Sequence, residues 1–236
     1  MQSYKELLEH YEQMLALFDV VHFNSENTRE VYQRFVEVAS SEVIPITHRN
    51  ILDRRVPRSY SGDCLRLIFI GALSPYKGFA RLMEALCALD CEGYRSWSLS
   101  VWGARGSSGD SRVTFNGGFN HTQLFDIFRD DSLLVAPSLW NETFSLVTLE
   151  ALSFATPVLT SSTVGAKDIV AEYDSWFIFN DTQNLTDKLR ALMQNADRLR
   201  RFNYKIMNQA WRHNLQQHAQ AIDEMYSGAH DKDSKR

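Results

Sequence analysis

Apolar residues recur at helical spacing in the first stretch of the chain, where Tyr4, Leu7, Leu8, Tyr11, Met14, Leu15 and Leu17 predict a helix over 3–17. Residues 18–23 (FDVVHF) read as a strand, Ser25 is placed to cap a helix carrying Val31, Tyr32 and Phe35, and 43–46 read as another short strand. The pattern then lapses over 47–63, where Pro57, Ser59, Ser61 and Gly62 stand among polar neighbours and predict a linker. From Leu65 an apolar run ends at Gly71, as in a parallel strand buried on both faces. A helix follows from about 77 to 89, then strands at 96–103 and 113–117, a helix at 121–129, a strand at 132–137, a helix from Ser145, and strands at 156–161 and 176–179. This alternation predicts an α/β fold, a Rossmann-like parallel sheet flanked by helices. Residues 182–227 read as helical throughout and 228–236 as a disordered tail.

Composition narrows the classes without naming one. Among 236 residues, 25 basic against 29 acidic give a net charge of −4, which excludes a nucleic-acid binder acting through bulk charge. Aromatic residues at 12% exclude global disorder. Cys64, Cys87 and Cys91 form no disulfide framework, which fits a reducing compartment, and no His or Cys pair elsewhere completes a tetrahedral metal set with Cys87 and Cys91. No apolar run approaches the ~20 residues needed to cross a bilayer, and the N-terminus does not resemble a signal peptide. The expected location is the cytoplasm, with peripheral membrane association left open.

In open α/β sheets ligands sit at the carboxyl ends of the strands, so the loops after Gly71, Gly103, Gly117, Pro137 and Ser161 are where chemistry is sought. The most informative runs from Pro137 to Ala151. Glu142 stands before the helix, Ser145 is a candidate N-cap, and Glu150 lies about a turn and a half inside. Backbone N–H groups around Phe144, Ser145 and Leu146 would face out of the helix start, a place for phosphate. Carboxylates flanking that end suit sugar and ribose hydroxyls, and equally well only favour the helix dipole. The residues alone leave both readings open.

Residues 71–86 (GALSPYKGFARLMEAL) and 137–161 (PSLWNETFSLVTLEALSFATPVLTS) together resemble the donor-binding half of the group 1 glycosyltransferases, retaining enzymes of the two-domain GT-B fold. The shared features are two glutamates separated by seven residues, Pro137-Ser138 before them, Glu150-Ala151, and Thr156-Pro157-Val158 after. Val164-Gly165-Ala166-Lys167-Asp168-Ile169 and VTFNGGFNHTQL (113–124) match further family segments, so the likeness runs over roughly 18–226.

The resemblance implies a UDP- or GDP-sugar as substrate, with no cofactor and no metal. Glu150 would bind the ribose and Glu142 the transferred sugar. Amides near Thr143, Phe144, Ser145 and Leu146 would hold the diphosphate, Lys77 beside Gly71 would neutralise the leaving group, and Phe119 would rest against the base. Two departures stand out: Ala72 occupies the position of a usual arginine, for which Arg105 or a linker arginine (Arg49, Arg54, Arg55, Arg58) could substitute, and Thr143-Phe144-Ser145 replaces Gly-Phe-Gly.

The resemblance also implies domains: 1–46 a remnant of an acceptor domain, 47–63 a linker, 64–181 the nucleotide-sugar-binding domain, 182–227 the C-terminal helices. An acceptor domain or partner chain would complete the cleft. The alternative is a non-catalytic nucleotide-sugar-binding or partner-binding subunit of a split enzyme.

Overall fold

The computed structural model describes residues 2–233. Helix α1 (Gln2–Leu15) leads into strand β1 (Val21–Phe23), helix α2 (Glu26–Gln33) and strand β2 (Ser41–Val43). Strand β3 (Leu65–Ile70), helix α3 (Phe79–Cys91), β4 (Trp97–Trp102), β5 (Val113–Gly117), α4 (Leu124–Phe128) and β6 (Ser132–Ala136) follow. Helix α5 (Leu146–Leu152), β7 (Val158–Ser161), α6 (Lys167–Asp174), β8 (Ile178–Phe179), α7 (Thr182–Gln194), α8 (Asp197–Asn208) and α9 (Leu215–Asp233) complete the described chain.

The main sheet is parallel throughout, in the order β5-β4-β3-β6-β7-β8. Chain direction across the sheet therefore reverses between β3 and β6, and the crevice at their carboxyl ends is the topological switch point. The continuous apolar runs predicted as buried strands are buried: Leu67, Ile68, Phe69, Leu133, Leu134, Val158 and Leu159 are each at most 3% exposed. Leu82, Leu86 and Leu89 of α3, and Leu185 and Leu189 of α7, have no exposure. Each such side chain contributes about 1.5–3 kcal/mol of burial. Arg190 of α7 forks onto Glu92 just past α3, clasping the two helices at 2.6 and 2.7 Å.

Several expected elements differ in detail. The first strand begins only at Val21, because residues 16–18 continue as a turn off α1. The strand expected at 43–46 lies at 41–43, where Val43 pairs with Phe23 in a two-stranded parallel sheet. The expected unbroken helix over 182–227 is interrupted at 195–196 and 209–214, and the segment 228–236, expected to be disordered, is helical to Asp233 while 234–236 lie outside the described residues. Trp211, within the stretch expected to be helical, sits in the second break, buried and beneath the Arg55 guanidinium.

The predicted linker is no solvated connector. Ile51 and Tyr60 are buried, and Arg58 donates to the carbonyls of Phe128, Arg129, Asp130 and Phe154. Arg55 binds Asp53 and the carbonyls closing α8. These arginines satisfy carbonyls left over at helix ends, a local need that polar composition does not reveal. Among the described residues no helix is long and apolar enough to cross a membrane.

Candidate active site

Two loops meet at the switch point. After β3 the chain makes a 3₁₀ turn, Pro75–Lys77, ended by Gly78 at φ +72°. A Cβ on Gly78 would lie 1.8 Å from the Pro137 carbonyl oxygen, so only glycine lets this turn rest on the loop after β6. The Leu139 N–H and the Ser138 hydroxyl both donate to the Tyr76 carbonyl, at 2.7 and 2.9 Å. Thus joined, the loops bring Lys77 Nζ to 2.9 Å from Glu142 Oε1.

Glu142 is held by its backbone from both sides. Its N–H donates to the Thr163 carbonyl and its own carbonyl accepts from Gly165 N–H and Asn27 Nδ2. The next carbonyl, of Thr143, accepts from the Ser25 and Thr28 hydroxyls at 2.6 and 3.0 Å. Gly165 lets these strands approach, since its Cβ would lie 2.3 Å from the Thr143 oxygen and 2.6 Å from Ser25 Oγ. Ser25 also caps α2 through the Thr28 N–H, as expected from sequence. Its second role, bracing a loop 118 residues away, carried no local signal.

Beyond Glu142, Phe144 is buried at 3% and Ser145 adopts φ +135°. That conformation is one that glycine takes and other residues resist, so Ser145 is strained, where its small size alone had marked it as a mild change. Nor does Ser145 cap α5. Its side chain makes no capping bond and instead lies 3.0 Å from the Thr148 hydroxyl. A cavity of about 470 Å³ opens over this turn, lined among others by Lys77, Ser138, Glu142, Thr143, Ser145 and Leu146. Among the described residues Lys77 is the only cation lining it.

Glu150 lies on α5, 5% exposed. Burial pushes its carboxyl up to about 7. Two histidines that the sequence reading did not single out face its Oε1: His121 Nδ1 at 3.2 Å and His48 Nε2 at 3.7 Å, with the two rings 4.8 Å apart. His48 is itself held below its usual value by burial, then by His121 and Arg49. The His48, His121 and Glu150 ligand atoms all lie within 4.8 Å of one another, an arrangement that could accept a metal ion. Sequence missed it because the three come from the linker, the loop after β5 and α5.

The remaining candidates divide. Gly71 ends β3, its N–H on the Trp102 carbonyl. Phe119 is half-buried, edge-on to Trp102 at 6.3 Å, and the segment it starts delivers His121 to Glu150. Ala72 is exposed, and of its proposed substitutes Arg54 lies over the Phe154 ring while Arg55 and Arg58 are committed to backbone carbonyls. Those two are not free to hold a phosphate.

Residues 58–209 match the family described as Glycosyl transferases group 1. A D-inositol 3-phosphate glycosyltransferase of Nocardia farcinica (strain IFM 10152) is 32% identical over 124 residues, covering 50% of this chain and 26% of that protein. A sucrose-phosphate synthase from Thermosynechococcus elongatus has the same fold with a TM-score of 0.72 at 17% identity, over 95% of this chain and 62% of its own. Anabaena Alr3699/HepE, solved in complex with UDP and glucose, gives a TM-score of 0.72 at 18% identity over 94% and 67%. The chain thus spans about a quarter of the curated relative and under two thirds of the synthase. The expected fold, a Rossmann-like parallel sheet flanked by helices as in GT-B glycosyltransferases, is the one observed.

Proposed function

This chain belongs to the glycosyl transferases of group 1, and from that premise we propose that it binds a UDP- or GDP-sugar and serves a retaining, metal-independent transfer of the sugar to an acceptor hydroxyl. The observation that carries this reading is the pairing of Lys77 with Glu142 at 2.9 Å on one side of the α5 start, with buried Glu150 inside the same helix. UDP is the favoured nucleotide, since the Anabaena neighbour is in complex with UDP and glucose.

In this reading the Glu150 carboxylate accepts both hydroxyls of the ribose, and His121 borders the nucleoside. Amides of Phe144, Ser145 and Leu146 take the diphosphate, and Lys77 leaves Glu142 to meet the charge that grows as the sugar departs. Glu142 is then free to accept from a hydroxyl of the transferred sugar. The bond from the anomeric carbon to the phosphate oxygen breaks, and the acceptor oxygen bonds to the same face. The acceptor's proton passes to the departing phosphate. The acceptor side of the cleft belongs to a further domain or a partner chain, and the neighbours include a GtfA/B complex matched over 90% of this chain and 46% of that one.

Calorimetric titration with UDP, GDP and ADP tests the reading. One nucleotide binds, and Glu150→Ala weakens it at least tenfold. Because a carboxyl at about 7 is mostly neutral at pH 6 and mostly ionised at pH 8, UDP binding tightens about tenfold between them. A chelator leaves the affinity unchanged. Affinity unaltered by Glu150→Ala would refute the ribose site, and loss on chelation would assign His48, His121 and Glu150 to a metal.

A further inference from the structure

Three consecutive carbonyls between Glu142 and Ser145 are bound by residues outside the cavity. The Glu142 carbonyl accepts from Gly165 N–H and Asn27 Nδ2 at 3.0 and 3.2 Å, and the Phe144 carbonyl accepts from Ala166 N–H at 3.1 Å. The Thr143 carbonyl between them accepts from the Ser25 hydroxyl at 2.6 Å, with the Thr28 hydroxyl at 3.0 Å. Among the described residues these two hydroxyls are its only donors. None of these partners lines the cavity of about 470 Å³, whereas Thr143, Phe144 and Ser145 do. A peptide unit is planar and trans, so a carbonyl and the N–H that follows it point in opposite directions. Each of these bonds therefore turns the next N–H toward the cavity. The N–H groups so turned, of Thr143, Phe144 and Ser145, donate to no described residue.

We propose that Ser25, Asn27 and Thr28 are positioning residues that set the affinity of this turn for the phosphate end of its ligand and leave the nucleoside end untouched. The inference rests on the reading of these amides as the diphosphate site. Ser25 and Asn27 are 3% and 7% exposed, and Asn27 commits its Nδ2 to two carbonyls, of Glu142 and of Thr163, the latter at 3.0 Å. Buried groups paired in this way resist displacement, because leaving any of them unpaired is costly. The turn needs such holding. Ser145 at φ +135° is strained, and strained backbone persists only where its surroundings over-determine it. Without the two hydroxyls the Thr143–Phe144 peptide is free to rotate, and it then shows an incoming phosphate a carbonyl oxygen in place of an N–H. The nucleoside end does not depend on these bonds, since Glu150 lies on α5 and is bordered by His48 and His121.

NMR titration with UDP, uridine and inorganic pyrophosphate tests this, in the parent chain and in Ser25→Ala combined with Thr28→Val. In the double variant UDP and pyrophosphate bind at least tenfold more weakly, while uridine stays within twofold of the parent. Thr28→Ser, which keeps the hydroxyl, binds UDP within threefold of the parent. Ser25 also caps α2, so Asn27→Asp gives a second route with the cap intact. Its carboxylate would face the Glu142 and Thr163 carbonyls and repel them, and the same selective loss is expected. Equal losses of UDP and uridine would mean a structural role alone and overturn the proposal. So would phosphate affinity that survives both variants, a Thr28→Ser loss as large as that of the double variant, or a parent that binds neither UDP nor pyrophosphate. Pyrophosphate binding that disappears in the variants, with no nucleotide bound by the parent, leaves the positioning role standing and refutes the nucleotide reading alone.

Discussion

The six-stranded sheet region and the first 46 residues treat their apolar surface in opposite ways. In the sheet region Leu82, Leu86, Val101, Leu133, Val158 and Phe177 have no exposure, because helices cover both faces. In the first segment Tyr4, Leu7, Tyr11, Leu17, Phe18 and Phe35 are 44–83% exposed, and Tyr4, Tyr11, Tyr32 and Phe35 line an open cleft of about 260 Å³. A sheet of two strands with two helices cannot enclose its own apolar residues, whereas six strands with helices on both faces can. The first segment nevertheless has a defined task. Through Ser25, Asn27 and Thr28 it fixes the backbone of Glu142 and Thr143.

The sharpest test of this contrast pairs one substitution in each region. Gly78→Ala forces a side chain onto the Pro137 carbonyl at a left-handed backbone position, and is expected to cost about 3 kcal/mol or more in urea unfolding. Tyr11→Ser on α1, 44% exposed, is expected to cost under about 0.5 kcal/mol in the same measurement. Equal effects would mean that the two regions are not packed differently.

Next in size is a flaw inside the closed region. The Glu150 carboxyl stands at about 7 when folded against an ordinary 4.5, so between these values the folded state keeps a proton that the unfolded chain has lost. Stability attached to Glu150 is therefore full below about pH 4.5 and is lost as pH rises through 7, by up to about 3 kcal/mol. Glu150→Gln is expected to flatten that slope and to raise the urea midpoint at pH 8. A parent protein whose midpoint is level from pH 5 to 8 would contradict this.

A smaller effect concerns the strained start of α5. Ser145→Gly relieves a φ of +135° and is expected to add about 1 kcal/mol after the greater freedom of unfolded glycine is subtracted. A lower thermal midpoint in this variant would show that the Ser145 contact with Thr148 outweighs the strain.

Much of this arrangement was legible in the linear chain. Local residue pattern marks the strands, so β3, β5, β6 and β7 appear within a residue or two of their places, and the spacing of Glu142 and Glu150 marked the helix start between them. The ends of elements were less legible. The helix expected over 182–227 would run through Trp211, whereas the structure breaks it at 209–214 and seats Trp211 beneath the Arg55 guanidinium. The linker misled for a related reason: an arginine bound to four carbonyls reads in sequence like one facing water.

The residue pattern by itself determined the alternation of strands and helices, a property of neighbours within about twenty positions, and the family resemblance of its motifs pointed to Lys77, Glu142 and Glu150 as the residues to watch. Tertiary structure alone decided that His48 and His121 face Glu150, that Ser25 and Asn27 hold the Glu142 loop, and that Tyr76 stands beside Trp140. Those contacts span from 29 to more than 100 positions. They depend on which strands are neighbours in the sheet, and strand order is set by how the whole chain buries its apolar faces, not by any local pattern.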